Sequence, residues 1–213
     1  MESEISSDRS RQFINSVYEI FMGDNANLKW TKLQQLNVQS GQAVSFNAAM
    51  KRDASMQFNC FDFSAGFNRN EIHAYLRGPG ADLEINNLFV PNSTQHMDTS
   101  SFVHHEQPHG SSRQLIKGVL GGKSTGVFRG LANVYRDAEK TDARQTNHNL
   151  LLSDSAKMNS IPQLEIYEDD VKCSHGSTTG QLNENAIFYL RSRGISRLDA
   201  AGLLVKGFAN EVV

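Results

Sequence analysis

Cysteine, long apolar runs and net charge are all scarce in this sequence, and each scarcity removes a class of protein. Two cysteines, Cys60 and Cys173, cannot build a disulfide framework, which points to a reducing compartment. No run of about 18 apolar residues occurs, so no transmembrane helix is expected. With 21 basic against 23 acidic residues and a pI near 6.4, the chain lacks the broad basic face of a nucleic-acid binder. The opening residues MESEISSDRS hold no apolar signal core, so the expectation is a cytoplasmic protein. The sequon Asn92-Ser93-Thr94 is then fortuitous. At 38% hydrophobic residues the chain is not a disordered one. Its 213 residues suit one compact domain, or one with a small appendage. Asn, Gln and Ser are unusually abundant for a chain that must bury a core.

What is present shows first as a repeat. Ala26-Asn27-Leu28-Lys29-Trp30, Ala54-Ser55-Met56-Gln57-Phe58 and Ala81-Asp82-Leu83-Glu84-Ile85 share one pattern: Ala, polar, apolar, polar, apolar. Their starts lie 28 and 27 residues apart. Such alternation is a strand with one buried face. Further alternating stretches follow in each period: 33–36 and 44–48, 61–63 and 72–76, 88–90 and 97–103. Gly41, Gly66, Asn68, Gly78-Pro79-Gly80 and Pro91-Asn92 separate them. A period in the high twenties made of short strands indicates a solenoid, here a parallel β-helix with about three strands per coil. Asn and Ser suit its corners. An antiparallel sandwich, the rival, needs no repeated offset. A solenoid must cap its ends, and the first dozen residues look too polar for that. Residues 1–180 therefore read as the β-helix core, N-terminally incomplete.

Residues 181–213 change character. Asn183 to Arg193 reads as a helix with Asn183 as N-cap and Gly194 as stop. Ser196 caps a second helix, with Asp199 three residues on. Leu198, Ala201, Val205, Phe208 and Val212 form its apolar stripe. The chain thus ends in a helical hairpin.

Three stretches carry candidate chemistry. Gly118 to Thr125 resembles a phosphate-binding loop, but Lys117 stands where the motif needs Gly, and a strand follows rather than a helix. A β-helix corner is the better reading. His96, His104, His105 and His109 fall within fourteen residues. His104 and His105 are adjacent, so on a strand they face opposite ways, and structural hydrogen bonding is favoured over a metal site. The densest stretch is LEIYEDDVKCSHG, residues 164–176. Cys173 and His175 are two apart and share a strand face beside Gly176. Thiolate and imidazole together could form half of a soft-metal or iron–sulfur site, or a nucleophile and its base. They could also simply face the core. A complete four-ligand site is not expected, since Cys60 is the other thiol; remaining ligands would come from a second subunit.

Several long runs carry a family resemblance: Ser101-Phe102-Val103-His104-His105 with Pro108-His109 and Ser112, then KGVLGGKSTGVFRG (117–130), ARQTNHNLLLS (143–153), PQLEIYEDDVKCSHGSTTGQL (162–182) and FYLRSRGI (188–195). From Asp98 to Val213 the sequence resembles the C-terminal part of the SufB/SufD family of iron–sulfur cluster assembly scaffolds, in its SufD-like form. The earlier repeats match loosely. The resemblance implies a right-handed parallel β-helix. It implies a non-catalytic scaffold subunit, not an enzyme, which pairs with a SufB-like subunit and docks a SufC-like ATPase through its C-terminal helices. It further implies that His175 and Cys173 lie at the subunit junction, where a transient iron–sulfur cluster forms; no cofactor is expected in the isolated chain. Phe188, Tyr189, Arg191, Arg193, Leu204 and Phe208 are then the expected partner-binding residues. Homodimer formation in isolation stays open. Two other classes remain: a β-helix carbohydrate-active enzyme, which wants secretion and an outward row of Asp or Arg over successive coils, both lacking here, and a structural homo-oligomer with no metal dependence.

Overall fold

The computed structural model describes the backbone of residues 2–5 and residues 11–212. The chain winds as a parallel β-helix of two sheets. Sheet A holds the odd-numbered strands: β1 (Glu2–Ile5), β3 (Asn27–Gln35), β5 (Ser55–Asp62), β7 (Asp82–Phe89), β9 (Ser111–Leu120), β11 (Asp142–Leu151) and β13 (Lys172–Gln181), neighbouring one another in that order. Sheet B holds β2 (Phe13–Met22), β4 (Gly41–Met50), β6 (Phe67–Leu76), β8 (His96–His105), β10 (Thr125–Val134) and β12 (Lys157–Ile166). Each coil therefore has two strands, not three. The expected extra strands at 33–36, 61–63 and 88–90 are largely the second halves of β3, β5 and β7: an uninterrupted ladder satisfies more backbone groups than a broken one. The expectation that the opening residues cannot cap the solenoid falls mainly outside the described residues.

The repeated segments stack as the spacing predicts. Leu28 pairs with Met56, and Met56 with Leu83, in parallel register. Alternation sends these side chains into the lumen between the sheets, with Phe46, Met50, Phe58, Met97 and Phe128. Each fully buried side chain of this size contributes about 1.5–3 kcal/mol. One corner between the sheets is a stack of left-handed residues, Asn25, Asp53, Gly80, His109 and Lys140. The amides of Asn25, Asp53, Gly80, His109 and Lys140 donate to the next coil's Arg52, Pro79, Pro108, Glu139 and Asp170 carbonyls. His109 is thus a corner residue.

The lumen also buries charge. Lys32 Nζ donates to Asp62 Oδ1 at 2.9 Å and to Asn70 Oδ1 at 2.8 Å. Asn70 Nδ2 donates to Asp62 Oδ2 at 2.7 Å, and Asn87 Nδ2 at 3.3 Å.

Two helices follow β13: α1 (Glu184–Arg191), capped by Asn183, and α2 (Arg197–Ala209), capped by Ser196, whose hydroxyl accepts from the Asp199 amide. Val205, Phe208, Ala209 and Val212 fold back onto Phe61, Leu88, Val119 and Leu150 on the outer side of sheet A. Lys117, almost wholly buried there, donates to the Phe208 carbonyl at 2.9 Å and to the Glu211 carboxylate, and lies 4.3 Å from the Phe208 ring centroid. Leu198, expected on the apolar stripe, instead points to solvent, and Ala200 is the buried residue of that turn.

Candidate functional site at the open end of the solenoid

The last coil has neighbours on one side only. β13 pairs with β11 and β12 with β10, and each is the edge of its sheet. Register carries the alternation outward: Cys173 stacks on Ala143, His175 on Gln145 and Ser177 on Asn147. Those partners are buried lumen residues. Cys173 and His175 therefore share the lumen face, yet His175 is exposed because no described strand covers it. Such an edge presents unpaired backbone groups as well as side chains.

The two candidates differ in readiness. Burial pushes the Cys173 thiol above its ordinary range, and the nearby Asp142 carboxylate adds to that shift, against an opposing backbone hydrogen bond at Ala143. A thiol held protonated is a poor free nucleophile and ligates only by giving up its proton. Most neighbouring polar groups are already committed. Asn149 Nδ2 donates to Asn147 Oδ1 at 2.7 Å. Ser160 Oγ donates to the same oxygen at 2.8 Å, and Ser177 Oγ lies 2.9 Å from Ser160 Oγ. Asp170 is an outer-corner residue, ion-paired with Lys140. Among the described residues no three His, Cys, Asp or Glu converge as a metal set.

The other sequence candidates do not join this site. Within β8, His104 faces outward and stacks on Tyr75, centroids 4.7 Å apart. His105 faces the lumen, with Nε2 2.8 Å from Ser112 Oγ. The loop of Gly121 to Ser124 is a corner. The Gly121 amide donates to Pro91 O at 3.0 Å and the Lys123 amide to Ser93 O at 2.6 Å, so these donors are unavailable to a phosphate. An outward row of Arg and Asp, read from the sequence as lacking, exists in short form: Arg113 stacks on Arg144, and they pair with Asp82 and Asp142 respectively. Arg144 donates to both Asp142 oxygens at 2.9 and 3.0 Å, which neutralises it.

On the hairpin, Phe188 and Tyr189 are exposed, at 73% and 57%, and Arg193 lies 4.7 Å over the Tyr189 ring. Arg191 is exposed, and Leu204 is half-buried. Phe208 is mostly spent on the contact with sheet A, so less of it is free than the sequence suggested. Sequence reading missed Gln145, which lies directly beneath His175. Its signal was a glutamine at an inward position of an alternating strand, within ARQTNHN.

A thiol and an imidazole thus share the lumen face of the uncovered terminal coil of a parallel β-helix. The sequence model of the family described as "SUF system FeS cluster assembly, SufBD core domain" matches residues 1–208, and the chain belongs to that family. It is 37% identical over its whole length to the iron–sulfur cluster assembly protein SufD of Escherichia coli, covering 50% of that protein. It is 34% identical to the SufBD family protein slr0076 of Synechocystis, over 97% of this chain and 46% of the relative. It is 33% identical to the chloroplastic protein ABCI7 of Arabidopsis thaliana, over 93% and 42%. The chain thus spans about half the length of the curated relatives it matches. No described helix is long and apolar enough to cross a membrane.

Proposed function

We propose that the chain is a non-catalytic scaffold subunit of iron–sulfur cluster assembly. His175 and Cys173 form its half of a site that a second, related subunit completes. The observation that carries this reading is the uncovered last coil, with both side chains on the lumen face of an edge strand. Edge strands accept strands from a partner, and a partner seated there brings its own ligands to the same lumen axis. Neutral imidazole suits iron, and a thiol that loses its proton on metal binding suits iron or a sulfur in transit. The cluster is cargo here.

The hairpin is the proposed docking element for an ATPase subunit. Exposed Phe188 and Tyr189, adjacent on α1, with exposed Leu198 and Leu203 on α2, support it, since exposed apolar surface of this kind marks interaction sites. The test is purification of the tagged protein from its native host. A SufB-like subunit and an ATPase should remain on the column, with iron and acid-labile sulfide bound. Recovery of the chain alone, free of both metals and partners, would contradict the reading.

A further inference from the structure

Successive coils place three sheet-A residues in one column along the lumen: Gln114, Gln145 and His175. Opposite them, sheet B aligns Ser101, Gly130 and Pro162. In the first layer the Ser101 hydroxyl donates to Gln114 Oε1 at 2.6 Å. In the second, the Gln145 carboxamide crosses the lumen and fills the space that Gly130 leaves. A methyl group on Gly130 would fall 2.2 Å from Gln145 Nε2. Glycine has no side chain to donate or accept, and both Gln145 Nε2 and Oε1 lack a hydrogen-bond partner among the described residues. Gln145 is only 1% exposed. In the third layer Pro162 offers neither a side-chain polar atom nor an N–H.

A buried carboxamide with both ends unpaired is costly, because each end has given up water for no partner. Its neighbour Asn147, two residues along the same strand, is fully engaged. A local rule broken beside a candidate site is a mark of function. We infer that Gln145 is the polar floor of the terminal site, its amide N–H held for an anionic sulfur of the cargo carried above it by His175. This rests on the proposed function. Nε2 is the group suited to that role: amide N–H donors stabilise anionic sulfur, and the layer above supplies no donor from Pro162.

The test uses the complex purified from the native host, with Gln145→Met and Gln145→Glu introduced separately. Methionine fills the same volume without polar atoms, so the melting temperature should hold or rise. Iron and acid-labile sulfide should fall roughly tenfold, the effect of losing a hydrogen bond to a charged group. Glutamate repels anionic sulfur, so it should lose them too. Retention in Gln145→Glu with loss in Gln145→Met would mean that the side chain acts through its oxygen on the metal, which overturns the donor role. Full iron and sulfide in Gln145→Met, at any melting temperature, overturns the inference. If His175→Ala loses iron and sulfide while Gln145→Met keeps them, Gln145 alone is misassigned. If both keep them, the site reading falls as well.

Discussion

Two of the polar clusters in the lumen are built differently. Around Lys32 and Asp62, an ammonium, a carboxylate and the amides of Asn70 and Asn87 meet in hydrogen bonds of 2.7–3.3 Å. At the open end, Gln145 and Gln114 leave three side-chain atoms unpaired among the described residues, beneath an exposed imidazole. Burial alone does not distinguish structure from function in this fold. A satisfied network locks neighbouring coils, whereas Gln145, under the proposed function, keeps its donor for the cargo; Asn68 is also buried with both ends unpaired among the described residues, so position beside His175, not the missing partners alone, singles Gln145 out.

The largest effect expected from this contrast is at the satisfied cluster. Asp62→Ala leaves a buried ammonium uncompensated and should cost about 3–5 kcal/mol, read as a fall in the urea midpoint. Adding Lys32→Met should recover much of that loss. A small effect of Asp62→Ala would erase the contrast.

His105 gives a pH-dependent form of the same comparison. Burial, helped by the neighbouring His104, lowers its pKa from 6.5 to about 4. The unfolded chain therefore binds a proton near pH 6.5 that the folded chain refuses until about pH 4. Stability is full above pH 6.5 and declines as pH falls through that window, by about 3 kcal/mol. Thermal melts between pH 7 and 4 should show this slope, and His105→Gln should flatten it.

How much of this was legible beforehand follows from which residues alternate. The stacking of Leu28, Met56 and Leu83 was readable because those early coils differ by one residue in length. Later coils are longer: Ser112 pairs with Ala143, 31 residues on. The repeat therefore fades from the sequence while persisting in space. Two strands were read as three because polar residues such as Lys32 and Gln34 face inward and interrupt the apolar pattern. Cys173 and His175 were visible through their spacing, but the openness of their coil depends on strand order. Gln145 looked like any strand glutamine, since its lack of partners comes from Gly130, across the lumen in the facing sheet.

A smaller effect is expected at Lys117, the residue that breaks the phosphate-loop pattern in the sequence and that the structure shows as an anchor for α2. Lys117 holds the Glu211 carboxyl below its usual range. Lys117→Met keeps the apolar stem and removes the bonds to Phe208 and Glu211, at a cost of about 1–2 kcal/mol. Hydrogen exchange should accelerate in residues 205–212 and not in the β-helix. Uniform acceleration would show that the hairpin is integral to the core.

If the terminal coil is a half-site, as proposed, and not merely exposed core, His175 serves the cargo and not the fold. His175→Ala, made in the complex purified from the native host, tests it most directly through melting temperature, partner retention, and bound iron and sulfide. An exposed side chain away from packing costs little on removal, about 0.5 kcal/mol or less. The proposed half-site predicts a near-normal melting temperature and intact partners, with iron and sulfide lost. Normal iron and sulfide in that complex, or losses only in proportion to unfolding, would contradict it.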